Sequence, residues 1–239
     1  MRWDVSLSPY IAEDTPAYLV VYKPPRLHSV PLKDKRGENL LDWCAKLFPE
    51  VLSVRGKNPW EGGVLHRLDF ETHGLVLIAK TQSAFDGFSE QQEKGLFVKT
   101  YRALTLPADL KLRGFPPPPV IQDVPCVIES AFRPFGEGRK SVRPVLLSSV
   151  KKNTENKKNC ALDRGEPYIT EITEQCKVNA YTCFTIRLKR GFRHQIRCHL
   201  AWLGFPILND PLYGGAASVD FPYLALSAVS HEAIVTENF

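Results

Sequence analysis

His66-Arg67-Leu68-Asp69-Phe70-Glu71-Thr72-His73-Gly74-Leu75-Val76-Leu77-Ile78-Ala79-Lys80 runs from a charged, polar knot straight into an apolar stretch. Leu75 to Ala79 has the length and composition of a buried strand. Gly74 stands where the chain must turn into that strand, and glycine permits backbone conformations that other residues resist. Asp69 is thereby held just outside the strand, on a loop braced by a sheet, where catalytic groups commonly sit. A turn-capping Asp is the plainer reading. Arg67, His66 and His73, crowded around one carboxylate beside a hydrophobic wall, argue for more than a cap.

Outward from this stretch, Tyr18 to Tyr22 reads as a buried strand stopped by Lys23-Pro24-Pro25. Glu38 to Phe48 has helical spacing and ends at Pro49. Ser83 is placed to cap a helix running to about Lys94, with Gly95 as its stop. Leu96 to Leu104 alternates as a half-buried strand, which puts Tyr101 with Phe97 and Lys99 on one face. Gly114 to Pro119 is a stiff connector, read as an excursion and not a boundary. Strands are expected over Val124 to Phe132, Tyr168 to Thr173, Ala180 to Leu188 and Tyr223 to Ala228, the middle two paired. His194 to Leu203 reads as a helix stopped by Gly204, with Ile196, Leu200 and Leu203 on one face and Arg197 and His194 on a neighbouring one. Lys151 to Arg164 reads as a polar, mobile surface loop. Interspersed strands and helices with short connections predict an α+β fold with a mixed, largely antiparallel central sheet and flanking helices.

At 239 residues and 44% hydrophobic content, the chain has enough apolar material for a real core. No run approaches the ~20 apolar residues of a membrane span. The first residues, Met1-Arg2-Trp3-Asp4, lack the apolar segment of a signal peptide. Six scattered cysteines without a CxxC pair argue against a zinc site or a disulfide framework, and point to reduced thiols in the cytoplasm. Net charge is only +5, but basic residues cluster at Lys33 to Arg36, Arg139 to Arg143, Lys151-Lys152 with Lys157-Lys158, and Arg187 to Arg190 with Arg193 and Arg197. Such unevenness suits a nucleic-acid face.

His66-Arg67-Leu68-Asp69 with Thr72, Gly74-Leu75 and Ala79-Lys80 resembles the catalytic signature of the RluA-type RNA pseudouridine synthases. So, in the family's order, do Tyr22-Lys23-Pro24-Pro25, Lys99-Thr100-Tyr101-Arg102-Ala103, His194 to Leu200, Gly204 to Asp210 and Tyr213-Gly214. The resemblance implies a pseudouridine synthase fold and an isomerase that detaches uracil N1 from ribose, rotates the base and rejoins it through C5. It implies no metal and no organic cofactor. Asp69 would be the catalytic carboxylate, attacking C1′ or removing the C2′ proton. Arg197 would be the cation that keeps it ionised. Tyr101 would stack on the base and take the C5 proton, and Arg67 would fill the space left by the flipped uridine. Lys23 matches a lysine lying behind the family's active site. His66, Arg193 and Ile196 complete the expected substrate-binding set. The lone histidines read as packing or hydrogen-bonding residues, since His194 and His199 have the wrong spacing for shared coordination.

His73 stands where a serine is usual, Phe192-Arg193 where Arg-Thr is, and Asn209 where glycine is; the usual His-Pro ending is absent. The expectation is a single catalytic domain over 1–239, without the small S4 RNA-binding domain and with surface insertions at about 114–123 and 151–165. It is expected to act as a monomer in the cytoplasm on ribosomal or transfer RNA. An RNA-binding descendant without catalysis is the alternative, and a glycoside hydrolase is disfavoured because no second carboxylate accompanies Asp69 in these motifs.

Overall fold

Tyr18–Lys23 forms an inner strand of the first of two units, which comprises Met1–Lys99 and Ser227–Phe239; the second comprises Thr100–Leu226. The structure, a computed structural model, describes residues 5–32, 37–121, 123–152, 160–218 and 220–233, with backbone alone at 151 and 152. In chain order the described elements are β1 (Tyr10–Asp14), β2 (Tyr18–Lys23), α1 (Leu40–Ala45), a 3-10 turn (Pro49–Leu52), β3 (His73–Ala79), α2 (Gln82–Lys94), β4 (Val98–Thr105), β5 (Cys126–Phe135), a second 3-10 turn (Glu137–Arg139), β6 (Ser141–Val145), α3 (Leu147–Lys152), β7 (Tyr168–Val178), β8 (Tyr181–Leu188), α4 (Gln195–Trp202) and β9 (Leu226–Glu232). Both units are α+β; among the described strand pairings the antiparallel kind dominates, and β3 with β9 is parallel.

In the first unit the strands lie in the order β1-β2-β3-β9. β2 runs antiparallel to β3 with Lys23 opposite Gly74 and Tyr18 opposite Ala79. The end of β2 therefore sits beside the entry to β3, where the Asp69 loop arrives. β3 is buried along almost its whole length, as its unbroken apolar sequence requires. Gly74 has a φ of +119°, and a Cβ there would lie 2.2 Å from the carbonyl oxygen of Ala228 on β9. Its parallel pairing with Ala228 thus depends on the missing side chain.

Helix α2 lays Ala84, Phe85 and Phe88 onto Leu65, Leu77, Ala79 and Phe97. Burial of each aromatic ring contributes about 1.5–3 kcal/mol. The helix stops at Gly95, left-handed at φ 71°, as the sequence predicts. Its cap is Thr81 and not Ser83: the Thr81 hydroxyl accepts the Ala84 N–H, while Ser83 already lies in the first turn.

In the second unit the order is β4-β8-β7-β5-β6. β7 and β8 form the expected hairpin, closed between Val178 and Tyr181 with Asn179 at positive φ. Phe132, Val142, Cys198, Ala201 and Tyr213 make a core under α4. The proline run of 116–119 lies inside this unit. The expected strand at Tyr223 to Ala228 instead begins at Leu226, because Ala225 bonds to both Leu104 and Leu208 in a loop. The strand expected from Val124 begins at Cys126 and continues to Phe135.

Two strands lie outside every sequence expectation. β1 is mostly exposed and half polar, and is held by pairing and by Tyr10 stacked on Tyr22 at 4.7 Å. β6 contains Pro144, which suits an outer strand and hides the pattern. Of the expected loop at 151–164, residues 151 and 152 end α3, Ala161 bridges to Phe132, and 153–159 lie outside the described residues. The basic cluster of 33–36 also lies outside them.

Candidate active site

The Asp69 loop is fastened to the first unit by backbone bonds on both sides of the carboxylate. Leu65 N–H donates to Leu77 O, and the Ser29 hydroxyl takes the Leu68 N–H at 3.0 Å while donating to the Leu68 carbonyl at 3.2 Å. Asp69 O accepts from Thr72 N–H at 3.1 Å, and Phe70 O accepts from Arg26 N–H at 2.8 Å. Asp69 itself is partly exposed. A loop anchored this closely holds its carboxylate in one place.

Lys23 works behind that loop. Its side chain is fully buried, and its ammonium donates to Pro24 O, Leu27 O and Phe70 O at 2.9, 2.8 and 3.3 Å. Three acceptors match the three donors of an ammonium. Burial nonetheless pulls Lys23 down to about 7, against the upward pull of Asp69 and Glu71. The unfolded chain holds this proton up to 10.5 and the folded chain releases it near 7, so between these values the unfolded state binds more protons and stability rises with pH. Lys23→Met is expected to shrink that rise. Urea midpoints of both proteins between about pH 7 and about pH 9.5 test this, and parallel pH profiles would refute it.

Arg67 and His66 divide their tasks. The Arg67 guanidinium is largely exposed, with a side chain 62% accessible, and is tethered at 3.0 Å to Glu61, which is only 6% accessible. It is the exposed cation of the loop. His66 takes the Leu77 N–H on Nε2 at 3.3 Å, which puts its proton on Nδ1. Burial first, then His231 and Lys99, hold His66 well below its ordinary pKa. Its ring lies 4.6 Å from that of His231 and 5.9 Å from Phe97. The structure uses His66 to seat the loop on β3. His73, behind it, is pushed down to about 4 by burial and by Lys23.

The other expected site residues belong to the second unit. Tyr101 lies on β4 and is 7% exposed. Arg193 donates to the carbonyls of Arg139 and Ser141 at 2.8 and 3.3 Å. Ile196 is buried on α4, a helix whose eight residues are all buried. Gln195 starts that helix by accepting the Phe192 N–H and donating to Ile169 O and Thr170 Oγ1. His199 bonds Thr170 and Ser130 at 2.8 and 2.9 Å, and burial takes it down to about 3.

Arg197 makes a two-pronged bond to Asp210, Nε to Oδ2 at 2.7 Å and Nη2 to Oδ1 at 2.8 Å, with both side chains buried. The Tyr213 ring lies 5.5 Å from the guanidinium, and Asp210 Oδ1 also accepts the Leu212 N–H. Asp210 is the buried partner that sequence reasoning missed, although it ends a quoted motif. Its signal was a lone carboxylate in a largely apolar turn. Ser29 and Glu61 carried no sequence signal. Among the described residues no group of three or more His, Cys, Asp or Glu is arranged to hold a metal, and no helix is long and apolar enough to cross a membrane.

The family model for RNA pseudouridylate synthase matches residues 17–202. The ribosomal large subunit pseudouridine synthase D of Pseudomonas aeruginosa is 25% identical over 197 residues, covering 82% of this chain and 51% of that protein. An uncharacterized RNA pseudouridine synthase of Chloroflexus aurantiacus is 30% identical over 152 residues, which are 64% of this chain and 39% of that protein. The chain thus spans about half the length, or less, of these relatives. Among solved structures, human RNA pseudouridylate synthase domain containing 1 aligns with a TM-score of 0.59 at 21% identity, over 95% of this chain and 79% of that one, a likeness of fold. Since the matched residues take in the Asp69 loop, β4 and all of α4, the chain belongs to the RNA pseudouridylate synthase family.

Proposed function

We infer that this chain isomerises specific uridines of structured RNA to pseudouridine, with Asp69 as the catalytic carboxylate. The observation that carries the reading is the anchored loop: Asp69 is fixed through Leu68, Phe70 and its own carbonyl, yet keeps access to solvent. In the reaction the N1–C1′ bond breaks, the uracil turns within the site, and C5 bonds to C1′. The C5 proton leaves and N1 gains one, so the product is an isomer. Asp69 either attacks C1′ or removes the C2′ proton, and Tyr101 is the group for the C5 proton. Arg67, exposed and tethered by Glu61, enters the helix space that the flipped nucleotide vacates. Arg197, fixed by Asp210, and Lys23, beneath Phe70, position the machinery. The reading includes action by a monomer in the cytoplasm, without cofactor, on ribosomal or transfer RNA; relatives named for the ribosomal large subunit favour the former.

The test is incubation with unmodified ribosomal and transfer RNA transcripts, followed by pseudouridine mapping. Conversion at discrete uridines is expected. RNA that is bound and left unchanged would replace this reading with an RNA-binding role. Tyr101→Phe separates the two duties of Tyr101. The ring face, worth ~1–3 kcal/mol per stacked base, is retained, so binding should persist while product formation stops. Weaker binding with normal turnover of bound RNA would contradict the proton-transfer role.

A further inference from the structure

We propose that Phe70 and His28 form an aromatic shelf beside the catalytic carboxylate, on which a base neighbouring the target uridine stacks. The proposal rests on the RNA-modifying reading above and adds a substrate subsite to it. Phe70 directly follows Asp69 and is 41% exposed, in a loop whose other large apolar residue, Leu68, is buried at 8%. Its ring is not part of the cluster that Phe85, Phe88 and Phe97 form. It lies instead against the His28 imidazole, with ring centroids 4.6 Å apart at an angle of 37°.

An exposed phenylalanine on a loose loop would mean little. This one is immobilised at its backbone, where the carbonyl accepts both the Arg26 N–H and the Lys23 ammonium. Ser29, the residue after His28, binds the Leu68 backbone on both its N–H and its carbonyl. The segments carrying the two rings are therefore fastened to each other, and the shelf is as rigid as the Asp69 loop. Two exposed arginines precede its rings in the chain, Arg26, at φ 61° with its side chain 64% accessible, and Arg67, 62% accessible, and each is ion-paired with a carboxylate. Glu71 lies 3.6 Å from the Arg26 guanidinium, Glu61 lies 3.0 Å from that of Arg67, and Asp69 directly precedes Phe70. Exposed aromatic faces bordered by arginines are the elements of a single-strand nucleic-acid platform, in which the ring takes a base and the cations take phosphates. A base extruded into the site leaves its neighbours partly unstacked, and a fixed ring one residue from the carboxylate offers one of them a new face.

The experiment uses short single-stranded oligoribonucleotides with a central uridine and 2-aminopurine on its 5′ or its 3′ side. Stacking quenches the 2-aminopurine fluorescence. The unaltered protein should bind and quench one of the two positions. Phe70→Ala should lose that quenching and weaken binding ~5- to 150-fold, the range for one stacked base. Phe70→Trp should keep both, and Phe70→Leu, which preserves apolar contact with His28 but has no π face, should behave as the alanine variant. Melting temperatures within a few degrees of the unaltered protein certify the fold. Binding by Phe70→Leu equal to that of the unaltered protein would overturn the shelf, as would quenching that survives Phe70→Ala or an unaltered protein that binds neither oligomer. Phe70-dependent quenching with no uridine conversion in the mapping experiment would support the shelf and overturn the isomerase reading.

Discussion

Asp69→Asn is expected to lower pseudouridine formation by at least ~10²–10⁴-fold, the scale of losing a positioned base, and by more if the carboxylate is the nucleophile. The fold should be untouched. The loop is held by backbone bonds at Leu68, Asp69 and Phe70, which the substitution leaves in place, and asparagine has the same shape. RNA binding should change little, because Arg67 and the loop backbone remain. A second readout follows from the charge. Asp69 is the leading influence holding Lys23 up against burial, so its neutralisation should drop the Lys23 pKa below about 7. The pH at which stability begins to rise should move down with it. Single-turnover conversion at saturating RNA, melting temperature and urea midpoints against pH measure the three effects. Turnover within tenfold of the unaltered enzyme would remove Asp69 from the catalytic role.

The parts of the fold legible in the sequence were those whose burial dictates their residues. β3 is buried on both faces and reads as an unbroken apolar run, and the β7–β8 hairpin carries its own turn residue in Asn179. β1 and β6 were not legible, because outer strands face solvent and take their stability from a neighbour. The cap of α2 went to Thr81, two residues before the one expected, a choice made by which hydroxyl meets the Ala84 N–H. The site divides the same way. The Asp69 loop was readable from a local crowd of charges. What holds it was legible only in part: the resemblance put Lys23 behind the loop, 47 residues from Phe70, but nothing marked Ser29, which reaches Leu68 across 39 residues. His66 is expected to touch substrate, but its ring nitrogen is engaged by Leu77, a bond that no local pattern announces. Arg197 was legible as a special arginine through its motif. Its bond to Asp210, thirteen residues on, appears only when the turn after α4 brings the carboxylate back beneath the helix.

Asp210→Ala is expected to be among the most destabilising single changes in the second unit. The Arg197 side chain is 3% accessible and that of Asp210 is 0%, so neither charge has water to fall back on. Removing the carboxylate takes both prongs of this bond from a buried guanidinium and also frees the Leu212 N–H from its acceptor. Breaking a buried pair in this way costs about 3–5 kcal/mol. Arg197→Leu should cost a similar amount by stranding the carboxylate instead, and should also cut turnover, since Arg197 is proposed to position the machinery. The informative variant is the double one. Desolvating two charges is itself expensive, so Arg197→Leu with Asp210→Ala should be less destabilised than the sum of the two singles, and close to the milder of them. It should remain inactive however stable it is. Urea unfolding of the three variants, with conversion assayed at saturating RNA, separates the structural duty of the pair from its part in the reaction. An Asp210→Ala protein within about 1 kcal/mol of the unaltered one would show that the guanidinium finds water or another acceptor in the folded state, and a double variant that restored turnover would place Arg197 outside the machinery altogether.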